Sequence, residues 1–270
     1  MSAKYAHPSP DNFPSYRAPS TQDGPRFKDA QHREKAATAF YQGAQTYDAV
    51  RPNYPKSVVD LLADQDTVID IGAGTGKFTE QLTNATVWAC DPSQDMARIL
   101  RHKTSIPVWR ACAENTGLPD NSVDAIVCAQ SWHWVEASQA SAECARIIRD
   151  QGKLVLAWNT LDVTAHPWVL RLARIMHSGD IHRPGFYPDV SHPWQLDQEI
   201  RTTWTHKLRP EQLHLLMHTR SYWLNAKEHI RERMTHNLNW YLYEHLGFEP
   251  GHKIELPYRS DAFVYRLAEG

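Results

Sequence analysis

The sequence predicts an α/β fold in which helices cover both faces of a mainly parallel sheet. Two observations support this prediction: strand-like and helical stretches alternate through residues 33–158, and a glycine-rich turn follows the first strand. Alternation is typical of parallel sheets, because each parallel connection needs a crossover that usually contains a helix. We expect strands near 67–71, 86–90, 107–111, 123–128 and 152–158. We expect helices near 33–46, 55–63, 77–83, 94–102 and 138–149.

The most informative stretch is residues 68–77 (VIDIGAGTGK), in which an apolar run leads into three alternate glycines. Because Gly72, Gly74 and Gly76 carry no Cβ atom, a ligand can contact the bare backbone N–H groups of the turn at a helix start. The alternative is that the glycines form only a corner between a strand and a helix. The dinucleotide fingerprint places its third glycine one residue later, where Lys77 stands. The spacing therefore disfavours NAD.

An acidic residue follows the predicted second strand. Residues 86–90 lead into Asp91, nineteen residues after Gly72. A carboxylate about 20 residues beyond the first glycine is typical of a group that holds the hydroxyls of a ribose. The alternative is that Asp91 only caps the helix predicted at 94–102. The turn and the acid together predict a cofactor that contains a nucleoside.

Three further segments lie in order around these motifs. They are residues 47–55 (YDAVRPNYP), residues 113–119 (AENTGLP) and residues 122–127 (SVDAIV), the last leading to Trp132, His133 and Trp134. With the glycine turn, Asp70 and Asp91, they resemble the class I S-adenosylmethionine-dependent methyltransferases. The resemblance is to the type 11 small-molecule group that includes trans-aconitate methyltransferases. It covers residues 40–160 and extends weakly over the rest.

The resemblance implies a Rossmann-like sheet of seven strands, mostly parallel with the last strand antiparallel, within a domain of residues 31–270. The last two strands are expected at 202–208 and near 253–266, with helices near 210–219 and 226–245. Residues 160–199 are rich in aromatic residues and histidine and are expected to form an inserted substrate lid. Residues 1–30 are rich in proline and poor in aliphatic residues, which predicts a flexible tail or an arm that packs on the domain.

The resemblance also implies S-adenosylmethionine as cofactor and S-adenosylhomocysteine as product. The resemblance then implies that the methionine and ribose portions lie along Gly72, Gly74 and Gly76. Asp91 is implied to bind the ribose hydroxyls. Asp70 lies beside the methionine amino group.

The adenine is expected at the backbone of Ala113 and Glu114. At the position of Cys112, many relatives carry an acidic residue. In those relatives the acid accepts a hydrogen bond from the adenine amino group. Either this hydrogen bond is missing here or Glu114 supplies it.

Residues 130–134 (QSWHW) follow the fourth strand, at the edge of the sheet that faces the sulfonium. His133 is the candidate general base, because the pKa of a free histidine lies near neutrality. The alternative is that His133 only bonds a loop and shapes the pocket. Trp132 and Trp134 either pack in the core or contact the sulfonium through a cation–π interaction, and we expect this contact from one of them. Gln130 is expected to contact the cofactor.

The family covers its cofactor with the segment that precedes the first strand. Tyr47 is therefore a third catalytic candidate beside His133 and Trp132. Arg51 either holds a carboxylate of the cofactor or substrate, or is a surface turn residue before Pro52.

Composition excludes several classes of function. The net charge of −2 and the pI of about 6.7 give no basic surface for nucleic acid. No apolar run approaches the roughly 18 residues of a membrane helix, and no signal core begins the chain, so we expect a soluble cytoplasmic protein without a membrane partner. The four cysteines form no CxxC pair and are expected to be buried free thiols. Of the 15 histidines, only His214 and His218 form a helical i, i+4 pair, without an HExxH frame, and we expect no metal.

The sequence thus predicts a methyltransferase that acts on a small molecule, most simply by O-methylation of a carboxylate or hydroxyl. N- or C-methylation is the alternative reaction. A non-catalytic S-adenosylmethionine-binding protein with a regulatory or assembly role is the alternative class, and an NAD-dependent oxidoreductase is a more distant one. A monomer or homodimer is expected.

Overall fold

The computed structural model describes residues 44–177, 182 and 184–268 of the chain. The predicted tail at 1–30 and most of the helix predicted at 33–46 lie outside the described residues.

A seven-stranded sheet with the order β3-β2-β1-β4-β5-β7-β6 forms the centre of the fold. It is mostly parallel with one antiparallel pair, and helices surround it, which confirms the predicted fold class. The strands are β1 (Thr67–Ile71), β2 (Thr86–Cys90), β3 (Val108–Trp109), β4 (Val123–Ala129), β5 (Ile148–Leu161), β6 (Trp194–Leu208) and β7 (Ile254–Leu267).

Helices connect these strands. The α-helices are α1 (Ala44–Val50), α2 (Lys56–Val59), α3 (Gln94–Lys103), α4 (Ala137–Ile147), α5 (Pro167–Ile175), α6 (Pro210–His218), α7 (Ser221–Asn225) and α8 (Glu228–Asn239). Short 3-10 turns are formed by Asp60–Leu62, Thr79–Gln81 and Trp132–Trp134, and a π-helical turn by Trp240–His245. Among the described residues, no helix combines the length and the apolar character needed to cross a membrane.

Strands β1 and β4 are adjacent in the middle of the sheet and pair in parallel, with Ile69 opposite Ile126. Both strands are buried over most of their length, which is why their sequences read as apolar runs rather than as alternating patterns. Each fully buried aliphatic side chain contributes about 1.5–3 kcal/mol to folding. The core cluster around them comprises Tyr54, Val58, Leu62, Val68, Phe78, Ala125, Val127, Val155, Ala157, Ala262 and Val264.

Several predicted elements differ from the structure: the strand expected at 202–208 already begins at Trp194, the strand expected at 107–111 is only Val108–Trp109, and the helix expected at 55–63 is Lys56–Val59 followed by a 3-10 turn. The helix predicted at 77–83 is only the 3-10 turn Thr79–Gln81, because Leu82 is already extended and the chain must return to enter β2 at Thr86. The strand predicted at 152–158 is longer, since β5 begins directly after α4 and continues to Leu161. Within the predicted lid at 160–199, the structure contains α5 and the first residues of β6.

The contacts divide the chain into two compact units. As far as their residues are described, one comprises Phe27–Asn159, Tyr187–Thr202 and Ser260–Gly270, and contains β1 to β4 with the glycine turn. The other comprises Thr160–Phe186 and Thr203–Arg259, with α5 to α8. In this second unit, the Tyr241 hydroxyl donates a hydrogen bond to the carbonyl of Trp168, which ties the π-helical turn to α5.

Three of the four cysteines are buried, as predicted: Cys90, Cys128 and Cys144. The prediction is wrong for Cys112, which is exposed. Cys112 follows β3, a two-residue strand at the edge of the sheet, so no further strand covers it.

Candidate active site

The three glycines of the turn after β1 have different tasks. All have a positive φ, at 71° for Gly72, 58° for Gly74 and 90° for Gly76, a region that other residues rarely adopt. A Cβ atom on Gly72 would lie 2.6 Å from Cβ of Ser131, and one on Gly76 would lie 2.4 Å from Leu100. A Cβ atom on Gly74 would meet nothing within 4 Å. Gly72 and Gly76 therefore permit close packing, whereas Gly74 borders open space.

Asp91 supports the glycine turn directly. Its Oδ2 accepts a hydrogen bond from the N–H of Gly74 at 2.8 Å, and its Oδ1 accepts one from the N–H of Ser93 at 2.8 Å. The side chain of Ser93, and not Asp91, caps α3 by accepting from the N–H of Met96. The alternative in which Asp91 is the helix cap is therefore wrong. Burial raises the pKa of Asp91 to about 6.

Asp70 is the second buried acid of the turn, and it is fully enclosed. Its Oδ2 accepts a hydrogen bond from the Thr79 hydroxyl at 2.6 Å. Its Oδ1 is buried and has no hydrogen-bond partner among the described residues. Burial raises the pKa of Asp70 to about 7, and the nearby charge of Asp91 adds to this shift. An oxygen of this kind lacks a donor, such as an ammonium group, that a ligand could provide.

Residues 51–55 (RPNYP), here called the RPNYP segment, lie close to these acids. The backbone N–H and carbonyl of Tyr54 both bond to the Gln81 side-chain amide, each at 2.8 Å. The Tyr54 ring is buried and packs edge-on against Phe78, with ring centroids 5.0 Å apart. Burial raises the pKa of Tyr54 well above its usual range, and the charge of Asp70 contributes. The guanidinium of Arg51 stacks over the ring of Tyr47 at 5.0 Å.

Helix α1 is fastened to the glycine turn by an ion-pair network. Asp48 accepts a hydrogen bond from the Lys103 ammonium at 2.6 Å and lies 3.8 Å from Lys77. Lys103 also pairs with Glu80 at 2.6 Å and donates to the carbonyl of Thr75 at 3.0 Å. These contacts hold the segment that carries Tyr47 beside the turn.

The loop after β4 carries the candidate catalytic residues. Its first residue, Gln130, has a positive φ of 57°, and the Ser131 hydroxyl donates to the carbonyl of Ile71 at 2.9 Å, which joins this loop to the glycine turn. Trp132 is buried, and its indole N–H donates to the carbonyl of Asp189 at 2.7 Å. These contacts support the packing alternative for Trp132. Trp134 is only partly buried, and its ring centroid lies 4.8 Å from that of His133.

His133 is held by a residue that the sequence analysis did not single out. The indole N–H of Trp158, in β5, donates a hydrogen bond to Nδ1 of His133 at 3.2 Å. A neutral imidazole whose Nδ1 accepts a hydrogen bond carries its proton on Nε2. In this arrangement Nε2 is a hydrogen-bond donor, and the ring does not accept a proton at Nε2 unless the Trp158 bond is broken.

Both polar atoms of the Gln130 side-chain amide form hydrogen bonds with the protein backbone. Its Nε2 donates to the Asn159 carbonyl at 3.1 Å, and its Oε1 accepts from the Asn159 N–H at 2.9 Å. The segment expected at the adenine is anchored too: Ala113 is buried, and Oε1 of Glu114 accepts from the N–H of Glu136 at 2.7 Å. Only the other oxygen of Glu114 is left for an adenine amino group.

The structure thus brings together most of the predicted residues in one unit of the chain. Direct hydrogen bonds or packing join the glycine turn to Asp91 and Ser131, the Thr79 hydroxyl holds Asp70, and Trp158 joins His133 to β5. Sequence reasoning missed Trp158, Asn159 and Gln81. The first two directly follow Ala157, the β5 residue opposite the last residue of β4, and so lie at the same edge of the sheet as the predicted loop, which is a signal that could have found them. In the described part of the chain, no group of three or more His, Cys, Asp or Glu side chains is suited to a metal ion.

Comparisons with known proteins identify the class. Residues 69–156 match a family model described as a methyltransferase domain. An uncharacterised methyltransferase of Mycobacterium tuberculosis is 34% identical over 234 residues, which cover 84% of this chain and 94% of that protein. An uncharacterised methyltransferase-like protein of Schizosaccharomyces pombe is 28% identical over 242 residues, covering 83% and 93%.

A solved structure shares the fold. A protein of Anaeromyxobacter dehalogenans that carries a type II methyltransferase designation superposes with a TM-score of 0.53 at 20% identity, covering 82% of this chain and 99% of that one. The chain belongs to the class I S-adenosylmethionine-dependent methyltransferases. It is a methyltransferase enzyme, so the non-catalytic and NAD-dependent alternatives are not supported.

S-adenosylmethionine is the cofactor, and the residues present fit it. The open space at Gly74, the unpartnered oxygen of Asp70 and the buried carboxylate of Asp91 suit a ligand that carries an amino group and a ribose.

The two buried acids predict a pH dependence of cofactor binding. With pKa values of about 7 and about 6, Asp70 and Asp91 hold protons in the free protein well above the usual carboxylate range. A cationic amino group favours the ionised form of Asp70. Binding therefore releases protons, and the affinity for S-adenosylhomocysteine should rise from pH 5.5 to pH 8. Calorimetry in buffers of different ionisation enthalpy measures the protons released, and a pH-independent affinity would contradict the expectation.

Asp70 and Asp91 also make the free energy of unfolding depend on pH, but in the direction opposite to their effect on cofactor affinity. Their pKa values are higher in the folded than in the unfolded chain, so between about pH 4 and pH 7 the folded state binds more protons. Their contribution to the free energy of unfolding therefore falls as the pH rises through this window. Asp91→Asn should remove the part of this slope that Asp91 contributes between about pH 4 and pH 6.

Proposed function

We propose that this enzyme transfers the methyl group to a carboxylate oxygen of a small-molecule acceptor. The observation that carries the proposal is the hydrogen bond from the indole N–H of Trp158 to Nδ1 of His133. Bound S-adenosylmethionine supplies an electrophilic methyl group on a sulfonium. A new oxygen–methyl bond forms as the sulfur–methyl bond breaks, and the electron pair of the broken bond stays on sulfur.

The protonation state of His133 favours this acceptor. A hydroxyl or an ammonium must lose a proton to become a good nucleophile, and a general base is then useful. A carboxylate at neutral pH has already lost its proton. With Nδ1 accepting from Trp158, the neutral ring of His133 carries its proton on Nε2, and in this proposal the ring acts toward the acceptor oxygen as a hydrogen-bond donor and not as a base. A hydroxyl acceptor is the second candidate, and it requires the Trp158 bond to be broken so that the ring can take a proton.

Orientation is the main contribution expected of the remaining residues. Holding the acceptor oxygen, the methyl carbon and the sulfur in line can supply on the order of 7–11 kcal/mol. In this proposal Asp70, Asp91 and the glycine turn hold the cofactor, and Ala113 and Glu114 receive its adenine. Tyr47 and Arg51 cover it, and Gln130 supports the loop that carries His133.

Part of the predicted lid supports the proposed acceptor site. The carbonyl of Asp189 holds Trp132, the N–H of Ser191 donates to the Ser141 hydroxyl at 3.0 Å, and the indole of Trp194 donates to the Ser141 carbonyl at 2.9 Å. Residues 187–194 are therefore fixed against the loop after β4 and against α4. We infer that this stretch forms one wall of the acceptor site and that residues 160–199 include the lid. We also infer a cytoplasmic monomer or homodimer without a nucleic acid or membrane partner.

A labelling experiment tests the acceptor class. The enzyme is incubated with tritium-labelled S-adenosylmethionine and an extract of small metabolites, and the labelled products are treated with mild alkali. Methyl esters hydrolyse and release labelled methanol, whereas methyl ethers, N-methyl and C-methyl products do not. Volatile label that depends on the enzyme supports the proposal, and label that stays in alkali-stable products overturns it.

Substitutions of His133 separate a donor from a base. His133→Gln keeps an N–H near the position of Nε2 and should retain much of the turnover, whereas His133→Ala should lose about 10- to 100-fold, the range of one or two hydrogen bonds. The measurement is kcat with the best acceptor of a carboxylic acid panel. If His133 is a base, Gln and Ala should be equally poor and the rate of the wild type should fall at low pH as the ring is protonated.

A further inference from the structure

Asn159 lies in β5, two residues before the strand ends, and its polar groups reach three different segments. Its Nδ2 donates to the carbonyl of Asn53 in the RPNYP segment at 3.1 Å. Its Oδ1 accepts from the Ser260 hydroxyl of β7 at 2.5 Å. Its backbone N–H and carbonyl bond to the side chain of Gln130, at the root of the loop that carries His133.

This side chain is buried, with 7% of its surface exposed, and Ser260 is 1% exposed. Buried hydrogen bonds define the position of a group more strictly than exposed ones, because water does not replace a lost partner. The carbonyl of Asn53 is thus tied to the end of β5 by a donor with little freedom.

The RPNYP segment is held on its other side in the same way. The amide of Gln81 bonds the backbone of Tyr54, the residue after Asn53, at both its N–H and its carbonyl. Two side-chain amides, from Gln81 after the glycine turn and from Asn159 in β5, therefore hold adjacent residues of one backbone. Between these anchors the Tyr54 ring packs on Phe78 close to Asp70.

We propose that Asn159 is a positioning residue for cofactor binding. It fixes the RPNYP segment, and with it Tyr47 and Arg51, over the glycine turn, and it joins this cover to the loop of His133. The inference rests on the covering role proposed for this segment and is independent of the chemistry of the acceptor. Asn159 itself need not touch the cofactor.

The experiment uses the full chain without any acceptor. Hydrogen exchange is measured for peptides spanning residues 47–54 and residues 123–129, and the affinity for S-adenosylhomocysteine is measured by calorimetry. Asn159→Ala should increase exchange in 47–54, leave 123–129 in β4 protected, and weaken binding about 10-fold. Ser260→Ala is the matched control, because it removes the other hydrogen bond of the same side chain and should change neither readout.

Asn159→Asp provides a second variant of the same size. It can still accept from Ser260 but, when ionised, cannot donate to Asn53, so it should reproduce the exchange and affinity of Asn159→Ala even if the alanine variant is unstable. The proposal is overturned if both variants bind and exchange like the wild type. It is equally overturned if Ser260→Ala changes the affinity as much as they do, since the network would then only pack the core. Because no acceptor is present, failure of the carboxylate proposal leaves this result unaffected.

Discussion

Replacing Asp91 with asparagine is expected to weaken the binding of S-adenosylmethionine about 100-fold. The carboxylate accepts hydrogen bonds from the N–H groups of Gly74 and Ser93 on separate oxygens. An amide offers one oxygen, and its NH₂ group would face an N–H group. Hydrogen bonds to charged groups contribute about 1.5–3 kcal/mol each, and tenfold in affinity corresponds to about 1.4 kcal/mol. The substitution would therefore disturb the conformation of the turn. It would also remove the charged acceptor that we expect to bind the ribose hydroxyls.

Calorimetric titration with S-adenosylmethionine measures this effect. Asp95→Asn is the control, because Asp95 lies in the first turn of α3 and pairs with Arg98 at the surface. We expect this control to bind like the wild type. A change of less than threefold for Asp91→Asn would contradict the role of Asp91.

Replacing Gly74 with alanine is expected to abolish most cofactor binding while the protein stays folded. The new methyl group meets no protein atom within 4 Å, so the cost to folding is the positive φ of 58°, roughly 1–2 kcal/mol. The same methyl group would occupy the space beside the bare backbone of the turn. A loss of at least 10-fold in affinity should accompany a modest fall in stability.

Two matched glycines separate these effects. Gly247→Ala introduces a methyl group at a φ of 65°, again with nothing within 4 Å, and should lose stability but not affinity. Gly72→Ala should lose more stability than either, because its Cβ would lie 2.6 Å from Ser131. Denaturant unfolding and calorimetry on the three variants provide the comparison. Normal cofactor binding by Gly74→Ala would show that the ligand lies elsewhere.

The parts of the fold that the sequence predicts best are those that local pattern determines. The expected strands at 67–71 and 86–90 match β1 and β2, because each is an apolar run that a turn signal ends at a sharp point. The extent of β5 was not predictable in this way, since its ends depend on pairing with other strands. The prediction of a helix after the glycine turn was also wrong, because the direction that the chain must take into β2 outweighs the local helix preference.

In the candidate site as well, sequence reasoning could name the residues that follow a local spacing pattern but not the contacts between distant residues. Glycine turns and an acid at a fixed distance are spacing signals, so Gly72, Gly74, Gly76 and Asp91 could be identified from the sequence. The bond from Trp158 to His133 and the bond from Asn159 to Asn53 join residues far apart in the chain, and they depend on side-chain rotamers that a pattern does not contain. The sequence therefore named His133 but could not decide which of its nitrogens carries the proton.

The two amides that hold the RPNYP segment form their hydrogen bonds with its backbone. Gln81 bonds the N–H and carbonyl of Tyr54, and Asn159 bonds the carbonyl of Asn53, whose side chain is exposed. Hydrogen bonds to the backbone do not depend on which side chain residue 53 carries. Evolutionary drift at this position should therefore be tolerated among relatives that retain glutamine and asparagine at the two holding positions, and a library randomised at residue 53 should yield mostly active enzymes.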